Sequence, residues 1–387
     1  MPAAPLARRS GTAFTVLVAI AMFLGACVMA LVLVLSHAPG ALVIGVLLAA
    51  LPVGPLIACY VWLDRYEPEP RTLLLLGLGW GAFVATSTAL VLQIAGEFAF
   101  KAPASFSAAV LAPLTEEAAK GLFILLLLFF RRHELDGILD GIVYAGMVGI
   151  GFAFTENILY LSSAYLGQDG QPGGISGAVG LFVVRGVFSP FAHPLFTSFT
   201  GIGIGIAVSS RKPAVRFLAP LLGYVLAVGA HAAWNGSLFM RGGQSFGLTY
   251  VFVMVPGFLL ITGFAIWARR RESKVLAEAL SDCAGRGFIK PAEIPWLVRL
   301  PARRAARRNA LAVGGKDARD AMAGYQQQAI ELGFMHYRFL RGTAPKDFAV
   351  RGQSFVDSMA ALRPALVWPT NAGTNAPTAA VPNTGGG

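Results

Sequence analysis

Residues Leu111–Phe130 read LAPLTEEAAKGLFILLLLFF, and whether this stretch crosses a bilayer decides the fold. The run is apolar at both ends, yet Glu116, Glu117 and Lys120 lie within about one helical turn of each other. Each charge at mid-bilayer costs roughly 2.5 to 3.5 kcal/mol even on lenient insertion scales. A membrane helix keeps three such residues only where something offsets that cost.

The rest of the chain places the stretch in a membrane. The 387 residues are 56% hydrophobic and only 13% charged, with a mean hydropathy of +0.64, whereas a soluble globule carries about 25% charged residues. Windows of mainly apolar residues long enough to span recur at about 12–35, 41–63, 72–95, 105–130, 137–163, 179–209, 216–239 and 248–268. The expected fold class is therefore all-α: a polytopic bundle of about eight transmembrane helices with a cytoplasmic helical C-terminal region. Lys and Arg are retained on the cytoplasmic side in short loops. Arg8, Arg9, Arg65, Arg71, Arg131, Arg132, Arg211, Lys212, Arg216 and Arg269 to Arg271 fall on one side, against Lys101 and Arg241 on the other, which puts both termini in the cytoplasm. "LGAC" at Leu24–Cys27 has the form of a lipoprotein cleavage site, but the apolar run continues through "VMALVLVLS", so an uncleaved span is the simpler reading. Cys27, Cys59 and Cys283 show no metal or redox spacing.

Composition divides the chain into a cytoplasmic N-terminus (1–11), an eight-span domain (12–268), a basic helical region (269–363) and a tail of disordered composition (364–387). The basic region carries 18 Lys or Arg from Arg269 onward. Beside a bilayer such a region meets anionic lipid head groups, and no nucleic-acid motif accompanies it.

The chemistry concentrates in spans four to seven. In span four, Lys120 is four residues after Glu116 and three after Glu117, so it lies between the two carboxylates on one helix face. A buried ion-pair staple is the bland account, although such pairs rarely add net stability. Span five holds Glu156 and Asn157 too deep to reach an interface, with Phe152 one turn earlier, while Asp136 and Asp140 near its end suit capping. Span six spaces Arg185, Ser189, His193 and Thr197 by four, with Pro190 and Pro194 beside the histidine breaking backbone hydrogen bonds. Span seven puts His231 and Asn235 on one face; the "NGS" at Asn235 matches a glycosylation acceptor but lies inside the span.

Counted from the outer ends at about 1.5 Å per residue, Glu116 lies roughly 17 Å deep, Glu156 roughly 10 Å, His193 roughly 21 Å and His231 roughly 13 Å. Residues Glu116, Glu117, Lys120, Glu156, His193, His231 and Asn235 thus share one slab, as a hydrophilic cavity requires. Two mechanisms are open to them. Glu156, His193 and His231 form a zinc ligand set with a fourth position for water, leaving another glutamate as base. Alternatively, a glutamate activates water with help from a histidine while His231 and Asn235 donate to the oxyanion.

"EEAAK" at Glu116–Lys120, "FAFTEN" at Phe152–Asn157, the Arg185–His193 segment ending "FAHPLF" and "HAAWN" at His231–Asn235 resemble the PrsW-type intramembrane proteases, relatives of the CAAX-prenyl endopeptidase and Abi superfamily. The resemblance covers about residues 60–268. Lys120 stands where the wider superfamily has Arg at longer spacing, and Glu156 stands in place of its second-motif His, departures that fit the PrsW branch. What the resemblance implies is hydrolysis of a peptide bond of a membrane protein, often a membrane-anchored anti-sigma factor, in a bacterial cell membrane. The same intramembrane Glu and His would also serve a proton- or cation-coupled transporter, which predicts matching structural repeats. A third reading is an inactive scaffold acting through its basic tail.

Overall fold

The computed structural model describes residues 9–35, 38–101, 103–167, 172–240 and 245–369. Arg8, Arg241, most of the N-terminal segment and the tail from residue 370 lie outside the described residues. The described chain is helical without strands, and it divides into two compact units, Met1–Arg269 and Arg270–Gly387.

Seven helical stretches are long and apolar enough to cross a membrane: α1 (Gly11–Leu35), α2 (Pro39–Leu63), α3 (Arg71–Phe100), α5 (Ile138–Leu166), α6 (Gly174–Val208), α7 (Pro213–Gly236) and α8 (Ser245–Gly285). The eighth expected span is helical too. It is α4 (Ala112–Phe130), led in by turns at Ala104–Phe106 and Ser107–Leu111, and it falls short of the apolarity of the others because it carries Glu116, Glu117 and Lys120. The expected stop near residue 268 is not a helix end: α8 runs on through the basic segment to Gly285, no glycine or proline interrupting it after Gly263.

Large apolar side chains face outward, among them Phe98 at 90% exposure, Phe217 at 72% and Leu260 at 73%. In water such a surface would drive aggregation; against lipid tails it costs nothing. The chain is a multi-pass membrane protein. The polar side chains turn inward instead, around α5, whose most apolar stretch is 89% buried.

Small residues let the helices around α5 come close. A methyl added at Gly141 would lie 2.1 Å from the carbonyl oxygen of Gly201 on α6, and one at Gly149 would lie 2.7 Å from Cα of Pro194. Gly137, Gly141, Ala145 and Gly149 repeat every four residues, so one face of α5 is a smooth seam against which α6 packs backbone to backbone. Hydrogen bonds complete the frame: Trp80 Nε1 on α3 donates to the Ala119 carbonyl of α4 at 2.9 Å, and the Tyr224 hydroxyl of α7 donates to the Leu114 carbonyl at 2.9 Å.

The helix of span six is broken. It runs Gly174–Phe182 and Val183–Phe188, opens at Ser189–Phe191, and resumes at Ala192–Val208. Pro190 and Pro194 cannot donate the bonds that would continue it. Arg185 and His193 therefore do not stand on one straight face, and Ser189 turns its hydroxyl back on the Val184 carbonyl at 2.8 Å. Asp140 caps α5, its Oδ2 accepting from the backbone N–H groups of Asp136 and Gly137 at 2.8 Å each.

In the second unit, α9 (Leu300–Leu340) folds back on itself at Gly315, whose φ of 74° only glycine adopts easily, so that Ala306 and Ala310 meet Ala318 and Met322. The helix α10 (Phe348–Leu362) packs on it. Glu293, buried in this unit, accepts hydrogen bonds from Tyr325 and from Arg363 Nη1, the latter at 2.7 Å.

Candidate active site

Helices α3 to α7 bring one polar cluster together. Lys120 is its centre: fully buried, its Nζ lies 2.8 Å from Glu117 Oε1, 3.2 Å from Glu116 Oε2 and 3.1 Å from His193 Nδ1, under the ring of Phe152 at 3.7 Å. This offsets the cost of charges in α4, since each buried carboxylate has a cation and further donors.

The two glutamates of α4 are not equivalent. Glu117 is enclosed completely and spends its oxygens on Lys120, on His231 Nδ1 at 3.0 Å and on the Thr197 hydroxyl at 3.0 Å. Glu116 lines a cavity of about 720 Å³ and accepts from Gln93 Nε2 of α3 at 3.2 Å as well as from Lys120. Its Oε2 is 3.8 Å from His231 Nε2, beyond hydrogen-bond reach, so both atoms keep capacity for a third group.

Glu156 sits across the cavity. Its Oε2 takes the His193 Nε2 contact at 2.8 Å and the guanidinium of Arg185, whose Nε donates to Asn157 Oδ1 at 2.7 Å. The partners fix both imidazole tautomers. An ionised carboxylate only accepts, so His193 carries its proton on Nε2 and His231 on Nδ1. The lone pairs left are His193 Nδ1, which faces Lys120, and His231 Nε2, which faces Glu116. Asn235 donates one amide hydrogen to the Ala108 carbonyl at 3.0 Å and lines the same cavity.

The seven residues singled out in the sequence thus lie in or against one cluster. Glu116, Glu156, His193 and Asn235 line the cavity, while Glu117, Lys120 and His231 stand behind it. The group whose ligand atoms converge, all within 4.8 Å, is Glu116, His193 and His231. The expected set had Glu156 as the carboxylate; in the structure Glu156 is engaged with Arg185 on the far side of His193.

Some contributors, Gln93 and Arg185 among them, went unassigned in the sequence. Gln93 is uncharged, and Glu97, which lines the same cavity, lies past residue 95, where the expected third span ends. Arg185 was legible as part of a polar row, but its pairing with Glu156 and Asn157 depends on the break at Ser189–Phe191.

The model of the family described as "PrsW family intramembrane metalloprotease" matches residues 69–261, which contain all of these side chains. Among curated proteins the chain is similar to a protein named Protease PrsW of Shouchella clausii, 30% identical over 235 residues, covering 60% of this chain and 98% of that one. It is 27% identical to a Protease PrsW of Geobacillus kaustophilus over 168 residues, 42% of this chain and 68% of the relative. A third Protease PrsW, from Oceanobacillus iheyensis, is 29% identical over 154 residues, 39% of this chain, which spans only 61% of that relative's length. No solved structure matches the chain. With the cluster inside the matched region and one relative aligned over nearly its whole length, this chain belongs to the PrsW family of intramembrane proteases.

Proposed function

We propose that this chain hydrolyses a peptide bond of a membrane protein in the cavity between α3 and α7, with Glu116 as the acid and base. The observation that carries this is the asymmetry of the glutamate pair: Glu116 lines the cavity and Glu117 does not. In the proposed reaction a water molecule donates one hydrogen to Glu116 Oε2 and the other to His231 Nε2, which turns its lone pair toward the scissile carbonyl. As the oxygen bonds to that carbon, its proton moves to Glu116 and the carbonyl electrons move to oxygen. The second amide hydrogen of Asn235 is available to the oxyanion. When the C–N bond breaks, the proton held on Glu116 goes to the leaving nitrogen. In this tautomer His231 accepts at Nε2, so it orients water and leaves the oxyanion to Asn235. Glu117 holds Lys120, His231 and Thr197 in register.

The family description names a metalloprotease. Glu116, His193 and His231 are the right kinds of ligand for zinc, but Lys120 already donates to two of the three. With the ammonium there, the set does not fit a metal, and no step above uses one.

Three further assignments belong to this proposal. The substrate class suggested by the family resemblance is a membrane-anchored anti-sigma factor. The membrane is the bacterial cell membrane, with both termini cytoplasmic on the Lys and Arg count. The second unit presents exposed Arg304, Arg308 and Lys316 along α9, suited to anionic lipid head groups.

The test is cleavage of a model transmembrane substrate by purified protein. Glu116→Gln should lower the rate by about 10²- to 10⁴-fold, the range for a positioned general base, while leaving thermal stability near wild type. Wild-type turnover by Glu116→Gln would end the proposal.

A further inference from the structure

We infer that Lys120 is the resident cation of the active site and that a divalent metal can enter only by taking its place. The inference rests on the protease reading in concerning the same residues, but it is decided by metal binding and not by turnover.

His193 sets the first constraint. Its Nε2 faces Glu156 Oε2 at 2.8 Å, and that carboxylate is held as an acceptor by Arg185, so Nε2 carries the proton. A neutral ring then has one lone pair, on Nδ1, and Lys120 Nζ occupies it at 3.1 Å. A zinc ion bound through Nδ1 would lie about 2.1 Å from that nitrogen on its lone-pair side, the side where Lys120 Nζ already stands at 3.1 Å. The two cannot coexist there. Binding through Nε2 instead would strip Glu156 of its hydrogen bond and turn the ring away from His231.

Glu116 repeats the conflict, because its Oε2 is the oxygen that receives Lys120, at 3.2 Å, and the oxygen nearest His231 Nε2. Lys120 is held closely where it stands. Its side chain is fully buried, Phe152 closes one side at 3.7 Å, and Glu117 holds it at 2.8 Å.

Charge points the same way. With neutral imidazoles, Glu116, Glu117 and Glu156 face Lys120 and Arg185, so the cluster carries one net negative charge. A dication added beside Lys120 would reverse that sign in a buried site, whereas a dication replacing Lys120 would bring the cluster to neutrality. The lysine thus supplies the positive charge that a metal would otherwise supply, tethered to α4 in a fixed place.

Metal content of purified protein tests this directly. Full-length wild type and Lys120→Met are prepared without chelator, equilibrated with zinc and measured by elemental analysis and by competition with a zinc indicator. Wild type should hold well under one equivalent. Lys120→Met should gain one equivalent, with affinity raised by about tenfold or more, and should lose it again when Glu116→Ala or His231→Ala is added. One equivalent of zinc in wild type that is lost in Glu116→Ala or His231→Ala overturns the inference, as does a folded Lys120→Met that gains none. Should Lys120→Met fail to fold, Lys120→Gln replaces it, and the wild-type measurement still decides. Failure of the protease reading shows separately, as absence of cleavage by wild type, and leaves these metal readings unchanged.

Discussion

The seam between α5 and α6 makes a demanding test, since it holds Glu156 and His193 in contact and its Gly141–Gly201 crossing touches neither. A methyl group at Gly201 meets the Gly141 backbone, just as one at Gly141 meets Gly201, with the carbonyl oxygen 2.1 Å away. Non-bonded carbon contacts lie near 3.5 Å, so Gly201→Ala must part the helices by about 1 Å or more. His193 lies eight residues along α6, about 12 Å at 1.5 Å per residue, close enough for the shift to reach it. The His193–Glu156 contact, 2.8 Å in the wild type, would then exceed hydrogen-bond range. Overpacking of this kind costs about 1 to 3 kcal/mol of stability, and misplacing a catalytic group by about 1 Å can cost 10²-fold in rate. Turnover of a model substrate and thermal unfolding in detergent, measured on one preparation, read both. Gly229→Ala on α7 is the control, because a methyl there meets open space. Gly201→Ala with the stability and rate of the control would refute the seam as the device that sets the site.

Other outcomes follow from single groups. Glu117→Gln removes a carboxylate that holds Lys120, His231 and Thr197, so it should lower both stability and turnover, unlike Glu116→Gln, which should lower turnover alone; a thermal shift on each variant separates the roles. In the loop between α2 and α3, burial pushes the Asp64 carboxyl up to about 8, opposed by the Glu69 backbone N–H it accepts and reinforced by the charge of Asp140. The folded state then holds a proton that the unfolded state releases near pH 4, so stability should fall as pH rises from about 4 to about 8, and Asp64→Asn should flatten that fall in a melting series. In the second unit, Arg363→Met leaves the buried Glu293 with Tyr325 but without its cation, which should destabilise by about 1 to 3 kcal/mol, read from denaturant unfolding of the full chain.

Much of the fold was legible in the chain because the bilayer leaves few choices: apolar runs of spanning length must be helices, and the charges inside them must turn toward each other. That reasoning located α4 through its least apolar stretch, and it picked out Glu116, Glu117, Lys120, Glu156, His193, His231 and Asn235, all of which lie in or against the cluster. Counting along the spans put these residues at similar heights because helical rise is constant. Local spacing also showed Lys120 between two carboxylates, since residues three and four apart share a helix face.

Contacts between helices were not open to that counting. Rotation and approach of α5 and α6 are set by glycines meeting backbone to backbone, and the opening at Ser189–Phe191 turns Arg185 toward Glu156, so a row spaced by four became two sides of a pocket. Only the packed structure shows that Glu116 faces the cavity while Glu117 is sealed behind it, because adjacent residues differ by about 100° around a helix and their surroundings come from other helices. The seat of Lys120 on the one lone pair of His193 was likewise beyond spacing rules: it depends on a side chain 73 positions away in sequence. Periodicity along one chain specifies which residues go inward, and packing among five helices decides what each of them touches.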